Sequence, residues 1–491
     1  MFVFFALKKL RERSLKVFIV ERILIMKEAV NPYLPSWEYV PDGEPYVFGD
    51  RVYIYGSHDL YDGHVFCLGD YVCYSAPVDD LGNWRYEGVI YPKTADPLNT
   101  DGSMCLYAPD VTVGPDGRYY LYYVLDKVGV TSVAVCDTPA GKYEFYGYVH
   151  YKDGTRLGDR EGDEPSFDPG VITEGDKTYL YLGFAPRGDN SRSGSLLSVL
   201  GPDMLTIEEE PVLVAPGIMN KDKGSFEGHE FFEASSIRKR GDKYYFIYSS
   251  VWMHELCYAM SDSPKGPFTY GGVIISNADL GINSYKKADV PGMYGANNHG
   301  SIVEIAGEWY IFYHRHTNGT WYSRQECAEI IHFAEDGSIP QVEVTSQGLN
   351  AAPLTGKGDH LAYTVCNMFT KEPELYIGKP GLPTVKERLD EGMEHPEAYI
   401  ANVVDGATLG FKYYKCEGIS SVTVEARGYG NGVFEVRTSP EGEVLATLPV
   451  ENRNIWTKVT ADIKLPDGVY AFYFTYVGDA SSLQMRSFEL N

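Results

Sequence analysis

The feature that most constrains the fold is a segment that occurs five times between residues 49 and 313. Each copy has a polar turn followed by an aromatic strand with apolar side chains at alternate positions. The turn acids are Asp50, Asp116, Asp176, Asp242 and Glu308, which lie 66, 60, 66 and 66 residues apart. A Gly/Asp turn between short alternating strands is typical of a β-hairpin. Five hairpins at nearly constant spacing indicate one structural unit repeated five times.

The repeat predicts an all-β fold in which residues 31–345 form a five-bladed β-propeller. A unit of this length is somewhat longer than a four-stranded propeller blade. Sheets repeated around an axis leave only short edges, which explains how a chain so rich in β-strands avoids edge pairing. An open sandwich with tandem hairpins is the alternative, but it does not account for the regular spacing.

The remaining sequence divides into three further parts. The repeat stops before residues 346–359, which we interpret as a linker. Residues 360–491 contain short alternating strands separated by Gly, Asn and Asp turns, a pattern that predicts a β-sandwich accessory domain. Residues 1–27 carry seven basic residues against two acids, and we expect this basic extension to lie outside the fold, with Met26 as an alternative start.

Charge and cysteine content limit the classes of partner. The 491 residues carry a formal charge of −25, which argues against nucleic acid and anionic membranes because both are bound largely through Lys and Arg. The eight cysteines form no C-x-x-C pair, so we expect free thiols in a reducing compartment. With no secretory signal recognised, the predicted localisation is cytoplasmic, with secretion as the alternative.

Each hairpin is preceded by a strand that starts with a polar residue. These residues are Asp42, Asp110, Asp168, Glu233 and His299. The innermost strands of a propeller line its channel, so the repeat predicts that four carboxylates and a histidine converge on one pocket. A single Asp beside Pro would be an ordinary turn, but recurrence in every unit favours a site. Crowded carboxylates raise the pKa of at least one member, which is typical of functional sites.

Two carboxyl groups on either side of a sugar ring can hydrolyse a glycosidic bond. One protonates the leaving oxygen, and the other either activates water at a separation of about 6.5–9.5 Å or attacks directly at about 5–5.5 Å. Opposite sides of a five-bladed funnel favour the wider gap. Asp42 and Glu233 are the candidates for this pair, and Asp168 is placed to tune the acid.

The motifs around these residues resemble glycoside hydrolase family 43. They are Pro41-Asp42-Gly43-Glu44-Pro45, Tyr107-Ala108-Pro109-Asp110-Val111, Phe167-Asp168-Pro169-Gly170-Val171, Phe232-Glu233-Ala234-Ser235-Ser236 and Asn298-His299-Gly300-Ser301. The resemblance implies a five-bladed propeller that cleaves arabinofuranosides or xylosides with inversion. It covers residues 31–345.

The resemblance also implies a role for each residue. Asp42 would be the general base and Glu233 the general acid, while Asp168 would orient Glu233 and raise its pKa. Substrate contacts would come from Tyr107, Asp110, His299 and Arg315, with Asp110 as either a sugar-hydroxyl acceptor or a strand-end anchor. No cofactor would be required, although His299 matches a histidine that contacts a central calcium or its water shell in several family members.

Two departures from the family pattern leave rivals for the catalytic pair. Two extra residues separate Asp42 from Pro45, which makes Glu44 a rival for the base. Glu-Ala-Ser replaces the commoner Glu-Gly-Pro at the acid, and two further acids, Glu227 and Glu230, lie nearby. We prefer Asp42 for its position at the strand start and Glu233 for the aromatic residues before it.

The second domain and the loops suggest further sugar contacts. Ala426-Arg427-Gly428, Gly430-Asn431-Gly432 and Phe434-Glu435-Val436-Arg437 resemble family 6 carbohydrate-binding modules. The resemblance implies sugar binding, with buttressing of the catalytic domain as the alternative. Aromatic residues expected in loops are Trp37, Trp84, Trp252, Tyr294 and Trp321, and their faces can pack against a pyranose.

Two alternative functions are compatible with a pocket of this kind. A glycoside phosphorylase would need basic residues for phosphate, for which Arg187, Arg192 and Arg238 are the candidates. A lectin-like propeller without catalysis would repeat one ligand-binding residue in each unit, whereas the five polar residues here differ in type. The sequence therefore favours a glycosidase acting on a carbohydrate partner.

Overall fold

The computed structural model describes residues 27–480 and 482–491. The predicted basic extension, apart from Lys27, lies outside the described residues. The described chain is all-β, and its helical segments are three short 3₁₀ turns, Lys93–Ala95, Gly224–Phe226 and Ala362–Thr364. Within these residues, we find no helix with the length and apolar character needed to cross a bilayer.

Five antiparallel sheets follow one another along the chain, and in each the strands pair in chain order. Sheet 1 contains β1 (Glu44–Phe48), β2 (Arg51–Tyr55), β3 (Tyr71–Pro77) and β4 (Arg85–Tyr91). Sheet 2 contains β5 (Asp110–Val113), β6 (Tyr119–Leu125), β7 (Val128–Cys136) and β8 (Glu144–Tyr148). Sheet 3 contains β9 (Gly170–Glu174), β10 (Lys177–Leu182), β11 (Gly194–Leu200) and β12 (Ile207–Pro216).

Sheets 4 and 5 complete the series. Sheet 4 contains β13 (Phe231–Arg240), β14 (Lys243–Ser250), β15 (Glu255–Ser261) and β16 (Thr269–Ser276). Sheet 5 has three strands, β17 (Ile302–Ile305), β18 (Glu308–Arg315) and β19 (Gln325–Ile331). In every sheet the predicted turn joins the first strand to the second, so the five hairpins are where the sequence repeat places them.

Apolar side chains hold neighbouring sheets together in a cycle. Four buried clusters lie between sheets 1 and 2, 2 and 3, 3 and 4, and 4 and 5. A fifth joins sheet 5 back to sheet 1, where Phe312 and Ala328 share a cluster with Val52 and Ile54. Phe312 is fully buried, so truncating it to Ala would cost about 3–5 kcal/mol and would loosen this closing contact.

The remaining strands form two further sheets. They are β20 (Leu354–Thr355), β21 (Gly358–Leu361), β22 (Asn367–Phe369), β23 (Thr384–Arg388), β24 (Glu397–Val403), β25 (Thr408–Cys416), β26 (Ser421–Gly428), β27 (Gly430–Arg437), β28 (Ala446–Val450), β29 (Arg453–Asp462), β30 (Gly468–Ala480) and β31 (Leu483–Leu490). One sheet has the order β20-β25-β30-β27-β28 with β22 beside β25, and the other has β23-β24-β31-β26-β29 with β21 beside β31. Side chains of both sheets share one apolar cluster.

The stretch predicted as a linker is partly ordered into these sheets. Leu354 and Thr355 pair in parallel with Tyr414 and Lys415 of β25, and β21 pairs with β31. The alternation that marks a strand cannot be read from the two residues of β20, which explains why the sequence indicates only a linker here.

The later sheets also contact the loops between β16 and β19. The Gly295 N–H donates to the Leu375 carbonyl at 2.7 Å, and the Val385 N–H donates to the Thr317 carbonyl at 2.8 Å. Trp321 packs against the apolar cluster of the later sheets. Residues that follow β19 therefore support the loops that carry Gly295 and Thr317.

Candidate active site

Residues at the starts of the first strands meet at a cavity of about 540 Å³, a size in the usual range for small-ligand pockets. Its polar lining residues are Asp42, Asp126, Asp168, Glu233, Asn297, His299 and Arg324. Its apolar and aromatic lining residues are Phe66, Cys67, Tyr107, Ala108, Phe167, Phe184, Phe232, Met253, Trp321 and Tyr322. Of the five loop aromatics expected from the sequence, Trp321 is the one at this cavity.

The backbone is unusual at three positions around the carboxylates. Asp42, Asp168 and Ala234, which follows Glu233, have φ values of 59°, 42° and 67°. Such left-handed conformations are uncommon for residues other than glycine and cluster at functional sites. Here they occur where the chain enters the inner strands and the carboxylates face the cavity.

Asp42 is held by a buried arginine. Arg324 Nη1 donates to Asp42 Oδ1 at 2.8 Å, while the same guanidinium contacts both oxygens of the buried Asp59 at 2.8 and 3.0 Å. Burial opposes the charge on Arg324, but Asp42 and Asp59 outweigh it and keep the pKa of Arg324 well above its usual value. Asp42 therefore faces a permanent positive charge.

Glu233 is the carboxyl group suited to hold a proton. Burial, and then the neighbouring charge of Asp168, raise the pKa of Glu233 well above its usual value. The Ala234 N–H donates to Asp168 Oδ2 at 3.0 Å, which fixes Asp168 beside the Glu233 backbone. Burial raises the pKa of Asp168 to about 7, with Asp42 adding to the rise and His299 opposing it.

His299 lies among three acids. Its Nδ1 is 3.6 Å from Asp168 Oδ2 and 4.0 Å from Asp42 Oδ1, and its Nε2 is 3.7 Å from Glu44 Oε1. Burial disfavours the charged imidazole, but Glu44, Asp168 and Asp42 together raise the pKa of His299 to about 9. These acids favour the cationic ring, which lies between Asp168 and Asp42 on one side and Glu44 on the other.

Comparison with known proteins identifies the family of this arrangement. Residues 40–339 match the family "Glycosyl hydrolases family 43". This chain belongs to glycosyl hydrolase family 43. It is 65% identical over 470 residues to a "Xylosidase/arabinosidase" of Thermoclostridium stercorarium, a match covering 94% of this chain and 99% of that protein. The family 43 chain is thus a glycosyl hydrolase.

Solved structures support the same assignment. A family 43 enzyme of Xanthomonas citri in complex with xylose is 25% identical, with a TM-score of 0.51 over 66% of this chain and 96% of the other. An arabinoxylan arabinofuranohydrolase of Bacillus subtilis, solved with cellotetraose, is 20% identical with a TM-score of 0.50, covering 95% of this chain and 99% of the other. The second similarity includes both sheets 1 to 5 and the two later sheets of the hydrolase, and it concerns the fold alone.

Three of the four residues predicted to contact substrate can be compared with the cavity here, and the contacts of Asp110 favour one of its two predicted roles. Tyr107 and His299 line the cavity, whereas Asp110 is fully buried and does not. Asp110 accepts hydrogen bonds from the Tyr46 hydroxyl at 2.6 Å and from the Val171 N–H at 2.7 Å. These contacts are those of a strand-end anchor, and they tie sheets 1, 2 and 3 together.

The strand register explains the position of Asp110. Asp110 pairs with Tyr122 as Glu44 pairs with Tyr55, so Asp110 corresponds to Glu44 and Ala108 corresponds to Asp42. Ala108, two residues earlier, lines the cavity in sheet 2. The sequence already shows this difference in register, because Asp110 precedes its turn acid by six residues and Asp42 precedes its own by eight.

Arg315 is a correction. Its guanidinium is fully buried, donates to the Val365 carbonyl at 2.9 Å and to Cys327 Sγ at 3.1 Å, and does not line the cavity. Successive side chains of a strand point to opposite faces, and the preceding His314 faces the site, where its Nδ1 accepts from the Asp42 N–H at 3.3 Å.

The arginine that lines the cavity is Arg324, which the sequence analysis did not identify. Arg324 lies in a loop, two residues after the aromatic pair Trp321-Tyr322. In the sequence, this nearby aromatic pair is the feature that could have pointed to a cavity residue.

The rivals for the catalytic pair lie outside the cavity. Glu44 is fully buried and accepts from Ser236 Oγ at 3.0 Å and from Arg238 Nη2 at 2.5 Å. Glu230 pairs with Lys223 at 2.9 Å, and Glu227 is exposed. Asp42 and Glu233 therefore remain the base and acid candidates that share one cavity.

The residues around His299 do not fit the calcium ion that the family resemblance implies. Calcium takes six to eight oxygen ligands. Within the described residues, the carboxylate oxygen that faces His299 Nε2 is Glu44 Oε1, at 3.7 Å, and the other oxygen of Glu44 accepts from Arg238 Nη2 at 2.5 Å. A guanidinium already paired with Glu44 would repel a divalent cation, so no catalytic step is assigned to a metal here.

Proposed function

We propose that this family 43 hydrolase cleaves β-D-xylosidic and α-L-arabinofuranosidic bonds by inversion. The xylosidase/arabinosidase of Thermoclostridium stercorarium supports the substrate class through its 65% identity. The observation that carries the mechanism is that Asp42 and Glu233 line one cavity with opposite electrostatic surroundings. Arg324 places a positive charge and a hydrogen bond on Asp42, while burial and Asp168 favour protonated Glu233.

Each group then has one task in the reaction. Glu233 donates its proton to the glycosidic oxygen as the bond to the anomeric carbon breaks. Asp42 accepts a proton from the water whose oxygen attacks that carbon from the other face. Asp168 raises the pKa of Glu233 and so keeps it protonated before the glycosidic bond breaks. The positive charge of His299 partly offsets the negative charges of Asp168 and Asp42. Aromatic lining residues such as Trp321 and Tyr107 provide faces for the sugar.

The proposed fold for this chemistry is a five-bladed propeller followed by a β-sandwich. Five apolar clusters linking sheets 1 to 5 in a cycle support the propeller. The common core of the two later sheets supports a sandwich over the last part of the chain. We propose that the sandwich, similar to family 6 carbohydrate-binding modules, binds xylan chains or buttresses the catalytic loops.

The test is hydrolysis of nitrophenyl β-D-xyloside, α-L-arabinofuranoside and β-D-galactoside under identical conditions. We expect turnover of the first two and little of the third, because galactopyranose has a CH₂OH group at C5 that xylopyranose lacks, and arabinofuranose is also one carbon smaller than galactose. Preference for the galactoside would refute the substrate assignment. Added phosphate should leave the rate unchanged, since Arg187, Arg192 and Arg238, the candidates for a phosphorylase, all lie outside the cavity lining.

A further inference from the structure

A histidine, a glutamate and a cysteine meet in sheet 4, outside the catalytic cavity. His229 lies just before β13, while Glu255 and Cys257 lie on β15. His229 Nδ1 lies 2.8 Å from Glu255 Oε2, and Cys257 Sγ lies 3.8 Å from the same oxygen. One nitrogen, one oxygen and one sulfur atom of these residues all lie within 4.8 Å of one another.

The fold, rather than a local motif, brings the three side chains together. Side chains two positions apart on a strand point to the same face, so Glu255 and Cys257 share one side of β15. Cys257 belongs to the apolar cluster between sheets 3 and 4. His229 reaches this side from a loop, 26 residues before Glu255 in the sequence.

Neighbouring groups hold these side chains in place. The Ser250 hydroxyl donates to Glu255 Oε2 at 2.8 Å. The His229 ring stacks on Tyr270, with 5.0 Å between the ring centres and 12° between the planes. The His229 carbonyl accepts from the Tyr248 hydroxyl at 2.7 Å, which fixes the backbone of the loop. Contacts of this kind orient the ligands of a metal site.

The three groups differ in their access to solvent. Cys257 is fully buried, whereas the side chains of Glu255 and His229 are 13% and 32% exposed. An ion can therefore enter past His229, and the thiol closes the inner side. Lys223 is paired with the buried Glu230 at 2.9 Å, so this lysine does not compete for Glu255.

The donor set selects the class of metal. Imidazole nitrogen, carboxylate oxygen and thiolate sulfur are the ligand types that zinc binds. Tetrahedral zinc with bonds of about 2.0–2.3 Å places its ligand atoms roughly 3.3–3.6 Å apart. The separations of 2.8 and 3.8 Å are close to this range, so small side-chain rotations reach it. A thiol and an imidazole do not suit Ca²⁺ or Mg²⁺, which take oxygen ligands.

We propose that His229, Glu255 and Cys257 form a zinc site with water in the fourth position. On binding, Cys257 loses its thiol proton to solvent, and the neutral His229 ring coordinates through Nδ1 with its proton on Nε2. The site joins the chain just before Glu233 to the turn between β14 and β15, which carries Met253 of the cavity lining. Zinc thus stabilises one wall of the cavity and takes no part in hydrolysis.

The test titrates the full chain, treated with EDTA and then desalted, with CoCl₂ as a spectroscopic substitute for zinc. We expect one equivalent of Co²⁺ to give the near-ultraviolet charge-transfer band of a cobalt–thiolate bond and the visible bands of tetrahedral cobalt, and ZnCl₂ to remove both. C257S should abolish the charge-transfer band, and H229Q should weaken Co²⁺ binding at least about 10-fold. The control C136S changes a half-buried free cysteine of sheet 2 and should leave the spectrum unchanged.

Thermal unfolding gives a second readout that does not depend on glycosidase activity. Free zinc at about a hundred times its dissociation constant should raise the thermal midpoint of the wild type by about 2–3 °C, and that of H229Q by less. This shift should be unchanged in C136S.

Two results would overturn the zinc site. One is the lack of saturable binding of Co²⁺ and Zn²⁺ to the wild type, and the other is binding of wild-type affinity, with its charge-transfer band, in C257S or H229Q. If C257S does not fold, H229Q and E255Q decide the question. Weaker Co²⁺ binding in both supports the site, and wild-type affinity in either one overturns it.

Discussion

Arg324 Nη1 lies 2.8 Å from Asp42 Oδ1 while Nε of the same guanidinium lies 2.8 Å from Asp59 Oδ2. The arginine is thus fixed on one side by a buried acid that does not line the cavity, and presents its other side to the proposed base. The planar guanidinium, with its fork of N–H donors, holds the two acids more rigidly than a lysine ammonium would at the same place. The orientation of Asp42 therefore depends on a loop residue that immediately precedes β19 of sheet 5.

The first prediction concerns this arginine. R324K keeps the positive charge but loses the planar fork, so Asp42 loses a charge-assisted hydrogen bond. We expect kcat/KM to fall about 10- to 150-fold, the equivalent of the 1.5–3 kcal/mol of such a bond. The matched control is R315K. Because Arg315 does not line the cavity, this change should lower the thermal midpoint and have little effect on kcat/KM. A larger kinetic loss in R315K than in R324K would contradict the site as described.

The second prediction concerns proton donation by Glu233. E233A should lower kcat about 10²- to 10⁴-fold on xylobiose, whose leaving group needs protonation. The loss should be much smaller on a dinitrophenyl xyloside, whose leaving group departs unaided. E227Q, a change at a nearby exposed acid, should have no effect on either substrate. Equal losses on both substrates would argue against Glu233 as the acid.

The third prediction concerns the charge of Asp168. Its negative charge helps to raise the pKa of Glu233, so D168N should lower that pKa. Since Glu233 must be protonated to act, the basic limb of the kcat/KM profile should move to lower pH, by about one unit. The asparagine oxygen can still accept from the Ala234 N–H, which preserves the local backbone. An upward shift of the basic limb would exclude this role for Asp168.

The fourth prediction tests Asp110 as an anchor. D110N replaces one carboxylate oxygen with an amide that cannot accept, leaving one of the N–H or O–H donors from Tyr46, Val111 or Val171 without a partner. We expect a loss of about 1–3 kcal/mol in the free energy of unfolding. KM for nitrophenyl xyloside should stay unchanged. The control D116N alters an exposed turn acid and should cost less than about 1 kcal/mol. A raised KM with unchanged stability would return Asp110 to the sugar site.

The hairpins and the acid–base candidates could be predicted because they depend on local patterns. Alternating aromatic strands after Gly/Asp turns fix each hairpin, and Asp42 and Asp168 precede their turn acids by eight residues and Glu233 by nine. No packing information is needed to recognise either pattern.

The sequence did not place the arginines or Asp110, since their roles depend on register and on side-chain direction. Asp110 is in register with Glu44, two residues further along the strand than the position of Asp42. Arg315 points to the face of its strand opposite His314. Arg324 reaches Asp42 from a loop 282 residues away in sequence, and loop direction is not encoded by periodicity. The same limit applies to Glu44, whose partner Arg238 comes from a distant sheet.

The central claim is that Asp42 and Glu233 act as base and acid in a single displacement with inversion. The most direct measurement is proton NMR of the first sugar released by wild-type enzyme from nitrophenyl β-D-xyloside, recorded before mutarotation. We expect α-xylose to appear first and the β-anomer to grow in later. β-Xylose as the first product would show retention and would contradict the assignment of Asp42 as a base that activates water.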